Sequence, residues 1–324
     1  MPDKPKVVIT ERLAPACAAW LAEHTEVVWH GFDRPGLDAA LADADGLVVR
    51  TYTRVDDALL DQAPKVKVVG RAGVGLDNFD LPACERRGVR VVYTPDANTQ
   101  AVVEYVMGLM LDHVRPRTPF PADATADDFH AMRKTEVGRQ LDEMTIGIVG
   151  FGRIGKRLGR AAHALGMNVW ATDVLPEVEL RKAVSFPFEF KPHAELYAGS
   201  HLVTVHADGR ASNRHLLGAD AFAVLRDNAV LINAARGMLV DHAALHDWLA
   251  GHPAAHAYLD VHDPEPPTRP EQAPLRSLPN ATLLPHLASR THTALANMSW
   301  VVRDVVRVLH GEPPEHPAST EIAE

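Results

Sequence analysis

The sequence predicts an α/β protein of two doubly wound parallel-sheet domains, the second inserted into the first. Three observations lead there. The 324 residues exceed the ~100–150 of an ordinary domain, so two cores are expected. Short β-branched runs alternate with helical stretches along most of the chain, and strands separated by helices pair in parallel because a crossover returns the chain to the same end of the sheet. An apolar helical stripe near the C-terminus, beyond the last strand, is placed back on the first domain.

In order, the first set of strands is Val7–Thr10, Val27–His30, Leu47–Arg50, Val66–Ala72 and Val89–Tyr93. Thr99–Val114, apolar at Val102, Val103, Val106, Leu109, Met110 and Val114, reads as a long buried helix leading from one domain to the other. The second set is Ile146–Gly150, Val169–Asp173, His201–His206, Ala229–Ala235, Ala257–Asp260 and Thr282–His286. Leu295, Met298, Val301, Val302, Val305, Val306 and Leu309 then recur at helical spacing before Gly311, a suitable C′ glycine. The first domain is therefore expected to comprise residues 1–98 plus 287–324, and the second residues 99–286. Pro313-Pro314-Glu315-His316-Pro317 reads as a loose tail.

Composition narrows the partners. Apolar residues at 46% and charged residues at 23% suit a packed core and exclude a disordered chain. A net charge of −9 argues against nucleic-acid binding, which needs a basic surface, and favours a small-molecule partner. Cys17 and Cys84 are too few for a disulfide framework, the N-terminus has no signal-peptide pattern, and no apolar run reaches the ~18 residues of a membrane span. A cytoplasmic location is expected. The 18 histidines form no paired ligand motif on a helix face, so no metal is expected.

Thr145-Ile146-Gly147-Ile148-Val149 runs into Gly150-Phe151-Gly152-Arg153-Ile154-Gly155 and a helical stretch, and the next strand ends in Asp173. This is a dinucleotide-binding fingerprint in its proper strand–turn–helix setting. Gly150 permits the tight turn, Gly152 lets the backbone approach a pyrophosphate at the helix N-terminus, and Gly155 allows close helix–sheet packing. Asp173 would accept ribose hydroxyls and repel a 2′-phosphate, so NAD is expected rather than NADP.

Five segments in order carry a resemblance: Val68-Val69-Gly70-Arg71-Ala72-Gly73-Val74-Gly75-Leu76-Asp77-Asn78, the fingerprint, Asn233-Ala234-Ala235-Arg236-Gly237, Asp260-Val261-His262-Asp263-Pro264-Glu265-Pro266, and Pro285-His286-Leu287. Over about residues 45–310 the sequence resembles the D-isomer-specific 2-hydroxyacid dehydrogenases, above all their phosphoglycerate dehydrogenase branch. The resemblance implies an NAD-binding Rossmann domain inserted into a discontinuous, flavodoxin-like substrate-binding domain. It also implies interconversion of a small D-2-hydroxy acid and its 2-keto acid, and a homodimer formed through the cofactor domains.

Residue by residue, it implies His286 as acid/base, Glu265 as the carboxylate that orients and charges that imidazole, and Arg236 as the clamp on the substrate carboxylate. Gly73, Val74 and Gly75 would hold the same carboxylate through backbone amides. Gly150, Gly152, Arg153, Ile154, Gly155, Asp173, His206, Ala207, Ala234, Ala235, Arg236, Asp260 and His286 would line the cofactor, with Asp260 facing the nicotinamide carboxamide. Arg50 and Arg71 match arginines that face a distal phosphate in the phosphoglycerate branch, and Arg290 adds charge near His286, so the expected substrate carries a second anionic group, phosphate or phosphonate.

The sequence departs from the family pattern at His206-Ala207-Asp208-Gly209-Arg210, Tyr93-Thr94-Pro95, Ala288 and Arg290. These changes, with Asp77-Asn78-Phe79-Asp80, raise a phosphonate- or phosphite-type dehydrogenase as an alternative. A non-enzymatic NAD sensor on the same scaffold is another. Because the chain ends at Glu324, the C-terminal regulatory domain of longer phosphoglycerate dehydrogenases is expected to be absent, and with it feedback by serine.

Overall fold

The computed structural model describes residues 4–319. It divides into two compact units, residues 1–98 with 289–324 and residues 99–288, the second boundary falling after Ala288 where the sequence reading put it after His286.

The first unit holds a parallel sheet of β1 (Lys6–Ile9), β2 (Glu26–Trp29), β3 (Gly46–Val49), β4 (Val68–Arg71) and β5 (Arg90–Val92), in the order β2-β1-β3-β4-β5. That is the flavodoxin-like order. Every residue of β3 and β4 is buried, which is why these strands read as continuous apolar runs and not as alternation. Val301, Val302, Val305 and Val306 pack with Val7, Ile9, Val48 and Val68 in one core. Gly70 makes that contact possible, since a Cβ there would lie 2.6 Å from Val305 Cγ2.

Two expectations need correction. The single C-terminal helix is two, His292–Ser299 and Val302–Leu309. Ser299 Oγ donates to Leu295 O at 2.7 Å and accepts the Ala14 amide at 3.0 Å, and such back-bonding to the preceding turn bends a helix. The Pro-rich tail is tied down. Buried Asp304 accepts the amides of Glu315 and His316 at 2.8 and 2.9 Å, and the Ala318 amide donates to Val91 O at 2.8 Å. Gly311 takes φ +81 just past the last helix, the left-handed position expected of it.

The second unit holds a seven-stranded sheet, all of it parallel: β6 (Thr145–Val149), β7 (Asn168–Thr172), β8 (Glu189–Phe190), β9 (Leu202–Val205), β10 (Val230–Asn233), β11 (His256–Leu259) and β12 (Ala281–Leu283). The order β12-β11-β10-β9-β6-β7-β8 reverses direction beside β6, which places the topological switch point of a Rossmann sheet at the end of β6. The helix Thr99–Val114 lies wholly in this unit, burying Val102, Val103, Val106, Met110 and Val114 against Ile146, Ile148 and Leu158. No described helix is long and apolar enough to cross a membrane.

Candidate active site

In the second unit, Gly150 leaves β6 with φ +89, and a Cβ there would lie 2.6 Å from both the Ala207 nitrogen and the His206 carbonyl carbon. Only glycine satisfies both constraints. Gly152 is the N-cap of the helix Arg153–Ala164 and has no side-chain cap. A Cβ on Gly152 would meet nothing within 4 Å, so this helix end, with its unpaired amides, is open to an incoming group. Gly155 packs on the turn itself, its missing Cβ 2.3 Å from Gly150 O.

Asp173, just past β7, accepts the Phe151 amide at 2.6 Å and the Leu175 amide at 2.9 Å, which fixes its carboxylate beside the same turn. Burial pushes the His206 imidazole down to about 3, its Nε2 lies 2.9 Å from Thr204 Oγ1, and its Nδ1 is buried without a partner. The departed loop beyond it is internally braced: Arg210 forks onto Asp208 at 2.7 and 2.6 Å, and Asn213 Nδ2 donates to Asp208 Oδ1 at 3.1 Å. These residues fit a bound dinucleotide: an open helix N-terminus, a glycine turn without side chains, and a carboxylate at the ribose end of the fingerprint.

The same unit assembles the expected reactive groups. His286 Nδ1 lies 3.1 Å from Glu265 Oε2, with the two side chains 42% and 34% exposed, which leaves the imidazole Nε2 for chemistry. Glu265 Oε1 accepts the His262 amide at 3.0 Å. Burial alone would raise the Glu265 carboxyl, but the His286 hydrogen bond and charge, with the His262 amide, bring it below its ordinary value. His262 Nε2 donates to Leu284 O at 2.8 Å and so ties the Glu265 loop to the segment leading to His286.

Arg236 follows β10. Asn233 is fully buried, accepts the Ala235 amide at 3.1 Å and donates to Arg236 O at 2.9 Å, closing the loop that presents the guanidinium. A Cβ on Gly237 would sit 2.0 Å from the His262 carbonyl carbon, so the Arg236 loop rests directly on the loop that carries Glu265.

Asp260 has a structural job that sequence reasoning missed. It is 1% exposed, and it accepts the Leu287 amide at 2.7 Å, the Ala288 amide at 2.8 Å and the Tyr105 hydroxyl at 3.2 Å. His286 itself has φ +55, a conformation uncommon outside glycine, and the two amides that follow it are held by Asp260. Burial, then the Asp260 charge, raises the Tyr105 phenol above its ordinary range, so it stays a donor.

In the first unit, Arg71 is buried beneath the Gly73–Gly75 loop, with Nε donating to Gly75 O at 2.9 Å and Nη1 to Ala72 O at 3.1 Å. A Cβ on Gly73 would lie 2.5 Å from Arg71 Nη1. Gly73 differs from the expectation that its amide faces an anion: it donates to Arg71 O at 2.7 Å, while Thr94 anchors Gly73 O through its amide and hydroxyl. Arg50 is half-buried and Arg290 exposed; burial and then the Arg290 charge lower the Arg50 pKa against the opposing effect of Glu11. Asp80 caps the helix Leu81–Arg86 and Asn78 bonds loop carbonyls, so two residues that suggested a phosphite-type site have structural partners. Among the described residues no group of three or more His, Cys, Asp or Glu could hold a metal ion.

A model of the D-isomer specific 2-hydroxyacid dehydrogenase family, NAD binding domain, matches residues 107–288. The chain belongs to this family. The D-3-phosphoglycerate dehydrogenase of Mycobacterium tuberculosis is 37% identical over 310 residues, 95% of this chain and 57% of the relative. The glyoxylate reductase of Thermococcus gammatolerans is 33% identical, with 96% and 95% covered. The crystal structure of the TT0316 protein from Thermus thermophilus superposes with a TM-score of 0.82 at 31% identity, covering 97% and 99% of the two chains. The chain spans 57% to 59% of the length of the phosphoglycerate dehydrogenases it matches.

Proposed function

We propose that this chain interconverts a small D-2-hydroxy acid and its 2-keto acid with NAD, and that its substrate carries a second anionic group. The observation that carries the reading is the His286–Glu265 contact at 3.1 Å, with the His286 turn clamped by buried Asp260 and the Glu265 loop resting against that of Arg236. Gly150, Gly152, Arg153, Ile154, Gly155 and Asp173 hold NAD, with Asp173 disfavouring a 2′-phosphate; the departed His206–Ala207 strand end and Ala234–Ala235 line it. When bound, NAD supplies the acceptor for the C2 hydride.

His286 Nε2 removes the 2-hydroxyl proton during oxidation and returns it to the carbonyl oxygen during reduction. Glu265 stabilises the protonated ring and fixes its orientation through Nδ1. The Arg236 guanidinium holds the substrate carboxylate in a bidentate fork. Arg50 and Arg290 read the distal anion, while Arg71 shapes the glycine loop from below. Names of relatives support the substrate class, since phosphoglycerate dehydrogenases recur among them.

Two buried free thiols, Cys17 and Cys84, suit a reducing cytoplasm. A homodimer is supported by the helix Ala126–Thr135, which buries no residue, and by exposed Phe120 and Phe129, 5.7 Å apart. Steady-state kinetics comparing 3-phosphoglycerate with D-glycerate and D-lactate tests the substrate: kcat/KM is expected to favour the phosphorylated acid by ~10-fold or more, as a charged contact provides. Equal values on all three would refute the distal anion site.

A further inference from the structure

Glu11, two residues beyond β1, is enclosed by the loop that follows β3. Its Oε1 accepts the amides of Arg50, Tyr52 and Thr53 at 2.9, 3.1 and 3.0 Å and the Thr53 hydroxyl at 3.0 Å, and its Oε2 accepts the Thr51 amide at 3.0 Å. Four consecutive backbone N–H groups turned on one carboxylate form an anion nest whose anion is part of the protein. The opposite edge of the loop is fixed too. Asn78 Nδ2 donates to Arg50 O at 3.0 Å and to Thr53 O at 2.6 Å, so the glycine loop and the Arg50 loop are joined through one side chain.

The loop delivers Arg50. Its Nη1 donates to Arg12 O at 3.2 Å, and two charges act on it, the Glu11 carboxylate and, more weakly, the Arg290 guanidinium. Neither arginine forms an ion pair with a carboxylate among the described residues. The Glu11 carboxylate is close enough to act on Arg50, yet five donors already occupy its two oxygens, so its charge offsets the guanidinium without capping it.

We infer that Glu11 is a positioning residue that builds the Arg50–Thr53 loop so that Arg50 receives the distal anionic group of the substrate. The inference rests on the reading of Arg50 given above. A glutamine at position 11 keeps one acceptor oxygen and turns an NH2 group towards amide donors, which breaks the nest while preserving side-chain volume.

The test is kcat and KM of the Arg50→Ala, Glu11→Gln and Asn78→Ala variants of the 324-residue chain, and of the Arg50→Ala/Glu11→Gln double variant, on 3-phosphoglycerate and D-glycerate. Glu11→Gln is expected to raise KM for the phosphorylated acid by ~10-fold, more than for D-glycerate and more than kcat falls, as the loss of charge-assisted hydrogen bonds implies. The double variant is expected to add little to Arg50→Ala alone, because both act on one contact. If Arg50→Ala does not change the preference between the two acids, the distal-anion reading falls and the inference with it. If Arg50→Ala changes it and Glu11→Gln does not, or if Glu11→Gln lowers kcat on both acids alike, Glu11 has no positioning role. Should Glu11→Gln fail to fold, Asn78→Ala acts on the carbonyl edge of the same loop and is expected to cause the same selective rise; its absence overturns the inference.

Discussion

At the scale of single residues, the proposed chemistry depends on how His286 is held. The family resemblance named both His286 and Glu265, and their side chains lie 3.1 Å apart. Asp260 was legible only as a motif member. Its clamp was not, because the amides it accepts are 27 and 28 positions along the chain and leave no local pattern. Glu265 gives a pH test. Its folded carboxyl lies below the ordinary value of 4.5, so it contributes stability that is fully present above that value and is lost as pH falls through the lower folded one. Glu265→Gln is accordingly expected to flatten the acid side of the urea-midpoint profile below about pH 4.5, within the carboxylate range. An unchanged acid slope would mean that the pair with His286 does not form in solution.

At the scale of elements, strands buried on both faces announced themselves as apolar runs, and the fingerprint glycines could be placed by their jobs. What stayed hidden was short or depended on distant partners. β8 has two residues, Glu189 and Phe190, too few for any periodicity. The break after Ser299 depends on a hydroxyl bonding back one turn, and the fixed tail depends on buried Asp304; neither changes the apolar spacing. The glycine turn yields a paired prediction. Gly155→Ala places a methyl against Gly150 O at 2.3 Å and should cost about 1–3 kcal/mol of stability, read by urea denaturation. Gly152→Ala meets nothing and should fold like the parent, yet weaken NAD binding by ~10-fold or more, measured by calorimetry, since the methyl stands where a phosphate approaches. Equal effects of the two on folding would contradict the distinct roles assigned to them.

For the whole molecule, the alternation of strands and helices conveyed two α/β units, and the C-terminal valine stripe conveyed that the first is discontinuous. The internal bracing of the substituted loops was not legible: Asp208 with Arg210, and Thr94 with Gly73, exchange one local solution for another that only coordinates reveal. We propose that the second unit's imidazole, carboxylate and guanidinium turn over a 2-hydroxy acid. The initial rate of NADH formation by the 324-residue chain with 3-phosphoglycerate, measured beside His286→Ala with NAD binding followed in both, tests this. Turnover by the parent, with a loss of ~100-fold or more in the variant and NAD still bound, is the expected result for loss of an acid/base. NAD binding without turnover, or equal rates in the two proteins, would contradict it.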